Sequence, residues 1–198
     1  CDWSSDVCSS DLLSGALLNC AFLGIVRIYQ VCAAAGLQEF CREIFIFFGF
    51  FSIVLAAVFI LGQTDYKRML AYSSVEYMGI LTLGIGIGGG AVYGALIAML
   101  GHSVTKAGLF FVAGNILSYT RTKKIADVRG LLGKNTRRMG ILWLAGFLLI
   151  TGTPPSVIFL GKFMLLKEMI FQGRYGMGAL FLGALAVIFI GMARAFIS

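Results

Sequence analysis

The chain has 198 residues, of which 59% are hydrophobic and only 13% are charged, and its mean hydropathy is +0.92. A soluble domain of this size does not need so much apolar surface, so the composition excludes that class and predicts an all-α, polytopic membrane protein. The formal net charge of +7 does not indicate nucleic-acid binding, because the basic residues are concentrated in particular loops. We expect contact with the lipid bilayer and no nucleic-acid partner.

The first twelve residues differ in composition from everything that follows. They are polar and acidic, do not start with methionine, and resemble one reading frame of a common short-read sequencing adapter. We interpret residues 1–12 as a translated, non-native scar without a packed role, and residues 13–198 as part of a membrane domain that has lost its true start. The cysteines show no metal-ligand spacing, so we expect no metal and no other cofactor.

Three apolar segments of membrane length open the domain. Residues 13–35 include Asn19, whose simplest role is a hydrogen bond to a neighbouring helix. Residues 44–62 contain six phenylalanines and no charge, so we expect some of these rings to face lipid. Residues 69–87 carry Glu76, an acidic group inside an apolar segment.

The next apolar segment, residues 91–117, carries His102 and Lys106. At 1.5 Å per residue they lie roughly 17 and 23 Å from its start, inside a hydrocarbon core about 30 Å thick. Their i, i+4 spacing places them on one face of the helix. Ionisable groups at that depth usually face a bundle interior or a wet cavity and mark an ion path. The pair indicates a proton relay; the alternative is a buried polar pair that only joins helices.

Residues 139–151 and 156–171 are apolar, but each is too short to span a bilayer. The break between them contains Gly152, Pro154 and Pro155. Proline removes a backbone donor and clashes with the preceding turn, which ends a helix. Two short halves around such a break are typical of one discontinuous crossing at a transporter's working site. The alternative is a re-entrant hairpin of two independent short helices.

A last apolar segment, residues 177–198, brings the total to about six crossings, one of them discontinuous. Basic residues are distributed unevenly among the connections: residues 63–68 and 118–138 together carry nine, whereas the opposite side carries only Arg42 and Arg174. The positive-inside rule therefore places 63–68 and 118–138 in the cytoplasm. We expect an integral protein of a prokaryotic plasma membrane.

Depth along the helices predicts which ionisable residues share a path. Glu76 lies roughly 10 Å and Lys106 roughly 17 Å from the cytoplasmic ends of their helices, so these two side chains are expected to meet. Lys162 lies roughly 14 Å from the far surface, near the depth of His102. The predicted line is Glu76–Lys106–His102–Lys162, because a buried lysine needs a partner or must neutralise. The alternatives are a snorkelling role for Lys162 and a topology-anchoring role for Lys67 instead of one in the relay.

Several short stretches resemble a known family. They are TDYKRMLAYSSVEYMG at 64–79, GHSVTK at 101–106, TPP at 153–155 and GKF at 161–163. Together they look like the antiporter-like proton-pumping membrane subunits of respiratory complex I, which group 4 membrane-bound hydrogenases and multisubunit cation/proton antiporters share. Residues 13–22 and the Ser-Val-Glu at 74–76 look most like the hydrogenase-4 component F type.

The resemblance implies an architecture and roles for individual residues. Residues 13–35 would be the last helix of a first five-helix repeat, and residues 44–198 the inverted second repeat. His102 and Lys106 look like part of the family's central relay, and Lys162 resembles the residue next to the proton exit. Asn19 departs from the pattern, because many complex I subunits carry a titratable residue there; the link would then need water or a neighbour.

The implied function is proton translocation, by a subunit of a hydrogenase-4/formate hydrogenlyase-type or NADH:quinone oxidoreductase (complex I-like) complex. Such a subunit holds no redox centre or catalytic centre of its own, and its partners are other membrane subunits and protons. One alternative is a subunit of a multisubunit cation/proton antiporter. A structural scaffold is the other, and the four intramembrane ionisable residues argue against it.

Overall fold

The computed structural model describes residues 17–120, residue 122 and residues 136–197. These residues form seven α-helices: α1 (Leu18–Ala34), α2 (Gln38–Leu61), α3 (Tyr66–Ile87), α4 (Gly90–Thr120), α5 (Arg137–Thr151), α6 (Val157–Phe171) and α7 (Tyr175–Ile197). Four of them, α2, α3, α4 and α7, are long and apolar enough to cross a membrane. The prediction of an all-α, polytopic membrane protein is confirmed at this level. Residues 1–12 and most of 118–138 lie outside the described residues.

Two helices begin at least three residues earlier than the sequence predicts. Helix α2 begins at Gln38, whereas the polar residues before position 44 predicted a turn. Arg42, in this extra part, donates from Nε to Gly86 O (3.1 Å) and from Nη2 to Ile87 O (2.8 Å) at the end of α3. A contact between distant segments thus supports the extra turns. Helix α3 begins at Tyr66, so Lys67 lies in its first turn and not in a loop.

Helix α3 lies at the centre of the bundle. Within its most apolar 18 residues, 72% are buried, compared with 28% for α2, although α3 is the least apolar of the four membrane-length helices. Neighbouring helices surround α3 because its polar side chains are too costly to expose to lipid. Helix α2 shows the opposite behaviour: Phe47 and Phe48 are 64% and 55% exposed, as expected of lipid-facing positions. Phe45 instead packs edge-to-face on Tyr29.

Small residues let the helices approach closely. A Cβ atom added at Gly79 of α3 would lie 2.8 Å from the carbonyl oxygen of Gly49 in α2. A Cβ added at Gly161 of α6 would overlap Ala98 and lie 2.6 Å from the carbonyl oxygen of Gly94 in α4. Such contacts are typical of membrane helices, which associate through tight packing of small side chains.

Helices α6 and α5 lie one after the other along α4 and run antiparallel to it. Near the start of α4, Gly90 N donates to Glu168 Oε2 of α6 (3.2 Å). Further along, Gly101 faces Val157 at the start of α6, and Leu109 then packs against Gly146 of α5. From position 90 to position 109 an α-helix rises about 28 Å. This order of contacts is the one expected of a discontinuous crossing; the halves of a hairpin would lie beside the same part of α4.

The break itself occurs where the sequence predicts it. Helix α5 ends at Thr151, and Gly152 takes a left-handed conformation (φ +76°) that favours glycine. Helix α6 begins after Ser156, whose Oγ accepts a hydrogen bond from Phe159 N (3.1 Å). A serine in this position satisfies one of the free donors at a helix start.

The start of α3 and the end of α4, which border the two predicted cytoplasmic connections, lie at the same end of the bundle. Tyr66, at the start of α3, donates from its hydroxyl to the carbonyl oxygen of Thr122, just beyond the end of α4 (3.3 Å). The contacts of Arg42 and Glu168 lie at the opposite end, where α3 turns into α4. The described helices thus agree with the predicted grouping of connections.

The packing of α4 on α6 predicts a sharp difference between two glycines. Gly161→Ala should destabilise the full-length subunit by about 1–3 kcal/mol, because the added methyl overpacks a tight contact. Gly108→Ala is the control, since no atom lies within 4 Å of a Cβ added there. The measurement is the Tm of each purified variant. Equal Tm values would contradict the close approach of α4 and α6.

Candidate functional site

A buried ion pair joins α3 to α6. Lys162 Nζ lies 3.0 Å from Glu76 Oε1, and both side chains are almost completely buried. Lys162 also donates to the carbonyl oxygen of Thr151 (3.2 Å), the last residue of α5. The last carbonyls of a helix lack intrahelical partners and carry partial negative charge. The break in the chain therefore supplies a second acceptor for the same ammonium group.

Lys106 of α4 has a separate set of partners. Its side chain is fully buried, and its Nζ donates to the carbonyl oxygen of Leu70 and to Ser73 Oγ (2.5 Å), both on α3. The ammonium group also lies 5.9 Å from the centre of the Phe110 ring. Lys106 is thus bonded to dipolar groups, whereas Lys162 is bonded to a carboxylate.

The imidazole of His102, a residue of α4, is stacked on an aromatic ring of α3. Its imidazole is parallel to the ring of Tyr77, with centroids 3.8 Å apart and an interplanar angle of 3°. Its Nε2 is buried and has no hydrogen-bond partner among the described residues. Lys106 lies one turn further along the same face of α4.

The structure brings the four predicted relay residues together but changes one pairing. Glu76 is bonded to Lys162, not to Lys106 as the depth argument predicted. Ser73 and Glu76 are three positions apart on α3 and so lie on the same side of the helix, one turn apart. Lys106 binds at the level of Ser73, which leaves Glu76 to Lys162.

The two secondary candidates lie in different places. Asn19 of α1 donates from Nδ2 to Ser103 Oγ (2.6 Å), next to His102, which fits the helix-joining role expected of it. Lys67 lines a surface groove together with Arg68, Ser74 and Phe110. The groove places Lys67 on the periphery, and its role as relay residue or anchor stays a prediction.

Ser73, Thr151 and Tyr77 contact the predicted site residues but were not themselves predicted. Ser73 could be suspected from a hydroxyl beside Glu76 in an apolar helix, but its bond to Lys106 depends on how α3 and α4 pack. Thr151 contributes a backbone carbonyl, which no side-chain pattern reveals. Tyr77 resembles an ordinary packing residue in the sequence. Among the described residues, no three His, Cys, Asp or Glu side chains are grouped to hold a metal ion.

Residues 3–189 match the profile of the family described as NADH:quinone oxidoreductase/Mrp antiporter, TM. The chain belongs to this antiporter family. The chain is similar to a hydrogenase-4 component F homolog of Methylacidiphilum infernorum, with 37% identity over 160 residues that make up 80% of this chain and 33% of that protein. NADH-quinone oxidoreductase subunit M of Rickettsia conorii is 31% identical over 181 residues, 91% of this chain and 36% of that protein.

Two solved structures with similar folds support this family assignment. A chain of respiratory complex I from Thermus thermophilus matches with a TM-score of 0.74 and 26% identity, over 82% of this chain and 35% of that chain. A chain of the Mrp complex from Dietzia sp. matches with a TM-score of 0.71 over 86% of this chain and 32% of that chain; at 18% identity this likeness concerns the fold. The chain spans about one third of the length of these relatives. It is an integral membrane protein, and the resemblance seen in its sequence is confirmed.

The buried ion pair predicts non-additive effects in a double-mutant cycle. Glu76→Gln and Lys162→Met should each destabilise the full-length subunit by about 3–5 kcal/mol, because each leaves a buried charge unpaired. The double variant should lose less than the sum. Thermal unfolding of the purified subunit measures all three. Glu39→Gln is the control: it removes a pair with Arg42 in which the Glu39 side chain is 82% exposed, and such pairs contribute at most about 1 kcal/mol. Additive losses at Glu76 and Lys162 would contradict the pairing.

Proposed function

We propose that this chain is part of a membrane subunit that moves protons across the membrane through Glu76, Lys106, His102 and Lys162. The complex is of the hydrogenase-4/formate hydrogenlyase or NADH:quinone oxidoreductase type, and its other membrane subunits are the partners. The observation that carries the proposal is a buried site in which the Lys162–Glu76 ion pair and a second lysine, Lys106, lie on successive turns of α3. The named relatives, a hydrogenase-4 component F homolog and NADH-quinone oxidoreductase subunits, support it.

The charges of this site explain how a proton could be passed on. With Glu76 ionised and both lysines protonated, one positive charge is left without a carboxylate, and an uncompensated buried charge costs several kcal/mol. Two like charges about 6–8 Å apart repel by roughly 2–3 kcal/mol at an effective dielectric constant of about 20. The site therefore favours the state with one protonated lysine beside the ionised carboxylate over the state with both lysines protonated. A proton that arrives at Lys106 or His102 promotes the release of one from Lys162.

Glu76 connects the two lysines in this scheme. It is bonded to Lys162, and it lies one turn along α3 from Ser73, which binds Lys106. A positive charge at Lys106 also interacts with this carboxylate. The carboxylate then stabilises the protonated form of Lys162 less strongly. The released proton then leaves from Lys162, which lies at the break between α5 and α6. Backbone groups freed at mid-membrane need water or polar neighbours, and such hydration would provide the exit.

The proposal includes an orientation and a place in a larger subunit. Residues 63–68 and 118–138 face the cytoplasm of a prokaryotic cell, and α5 with α6 forms one discontinuous crossing out of about six. Residues 13–35 end a first repeat, and residues 44–198 form the inverted second one. The successive contacts of α6 and α5 along α4 support the discontinuous crossing.

Lys162→Met in the full-length subunit should abolish proton uptake into vesicles that hold the whole complex, while electron transfer continues. The reason is that no titratable group remains between Glu76 and the break. Proton uptake and electron-transfer rate are measured on the same preparation. Lys167→Met is the matched control, because Lys167 is an exposed lysine of the same helix.

Full proton uptake by the Lys162→Met variant at normal assembly would overturn the proposed role. Repeating the assay with an imposed Na⁺ gradient tests the alternative, a cation/proton antiporter subunit. Proton movement driven by that gradient without electron transfer would favour the antiporter. Proton movement that requires electron transfer would favour the hydrogenase or quinone oxidoreductase type.

A further inference from the structure

Three buried polar atoms near the relay have no protein partner among the described residues. They are Ser74 Oγ, Tyr77 Oη and His102 Nε2. All three residues are more than nine-tenths buried. A buried polar group without a hydrogen bond costs about 1–3 kcal/mol, and native proteins leave few such groups. Three of them on neighbouring residues therefore require a common explanation.

These atoms belong to one interface between two helices. Ser74 and Tyr77 are three positions apart on α3 and so lie one turn apart on the same side of the helix. The ring of Tyr77 in turn lies flat on the imidazole of His102 of α4, with centroids 3.8 Å apart. The stacking prevents the imidazole from turning freely and gives its Nε2 a defined direction.

The nearby charged groups already have other partners. Lys106 Nζ donates to Leu70 O and Ser73 Oγ. Lys162 Nζ donates to Glu76 and to the end of α5. Small molecules that can both donate and accept hydrogen bonds would satisfy these atoms. Water has these properties, and buried waters typically make about three hydrogen bonds to such groups.

We propose that Ser74, Tyr77 and His102 form a water-binding site, and that Tyr77 is a positioning residue that directs His102 Nε2 toward the bound water. This inference rests on the proposed function. An excess proton that enters at the Ser74 hydroxyl is passed along the hydrogen-bonded chain. Each oxygen accepts one proton and gives up another, so one O–H bond forms for each that breaks, and the last proton binds Nε2. Ser74 also lines the surface groove that Lys67 and Arg68 border, and we place the entry of water on that side.

Two kinds of measurement on the full complex test this site. A high-resolution cryo-EM map of the wild-type complex should show ordered water about 3 Å from His102 Nε2. Tyr77→Phe keeps the stacked ring and removes only the hydroxyl. It should assemble normally with an unchanged Tm and lower the rate of proton uptake by roughly tenfold, the effect of a barrier higher by about 1.4 kcal/mol. Ser74→Ala should lower the same rate, and Tyr77→Leu, which removes the stack as well, should lower it further.

The proposed site would be overturned if the map shows a protein side chain, instead of water, about 3 Å from His102 Nε2. Full pumping by both Tyr77→Phe and Ser74→Ala would also overturn it. If Tyr77→Phe fails to assemble, Ser74→Ala and the map decide. The Lys162→Met variant distinguishes failure of the proposed water site from failure of the proposed relay. If Lys162→Met blocks pumping and the hydroxyl variants do not, only the water site is wrong. If Lys162→Met also pumps fully, the proposed relay is wrong, and the cryo-EM map alone tests whether the water is present.

Discussion

The contact between Lys162 Nζ and Glu76 Oε1 constrains much of the surrounding structure. A bare ammonium group in a membrane interior is costly, so a partner must be held within about 3 Å of it. That requirement places α6 against α3, and the break after Thr151 brings a carbonyl to the same nitrogen. Replacing a buried ion pair by apolar side chains is often neutral or stabilising. Stability alone therefore does not explain the pair, which supports a role in moving charge.

Enclosure of polar groups also explains the arrangement of the helices. Helix α3 carries Glu76, Ser73, Ser74 and Tyr77 and is the most buried of the membrane-length helices, although it is the least apolar. Glycines on α2, α4 and α6 bring the backbones close enough to seal these groups from lipid. Tight packing and a charged interior thus depend on each other, because loosely packed helices would expose the charges.

Much of the fold could be predicted from the sequence, since hydrophobic length and helix breakers act locally. The helix break at Gly152, Pro154 and Pro155 lies where proline chemistry requires it. The start of α2 was placed too late, because polar residues predicted a turn where Arg42 bonds to carbonyls at the end of α3. Tertiary contacts of this kind cannot be recognised in a local pattern.

The sequence by itself determined that the protein lies in a membrane, which ionisable residues are buried there, and to which family the chain belongs. These properties follow from composition and from residues close together in the chain. Only the tertiary structure decided that Glu76 pairs with Lys162 while Lys106 binds Ser73, and that Tyr77 stacks on His102. Depth along a helix predicts the level of a residue in the membrane. Its partner also depends on the rotation of each helix about its axis, which is set by packing between distant segments.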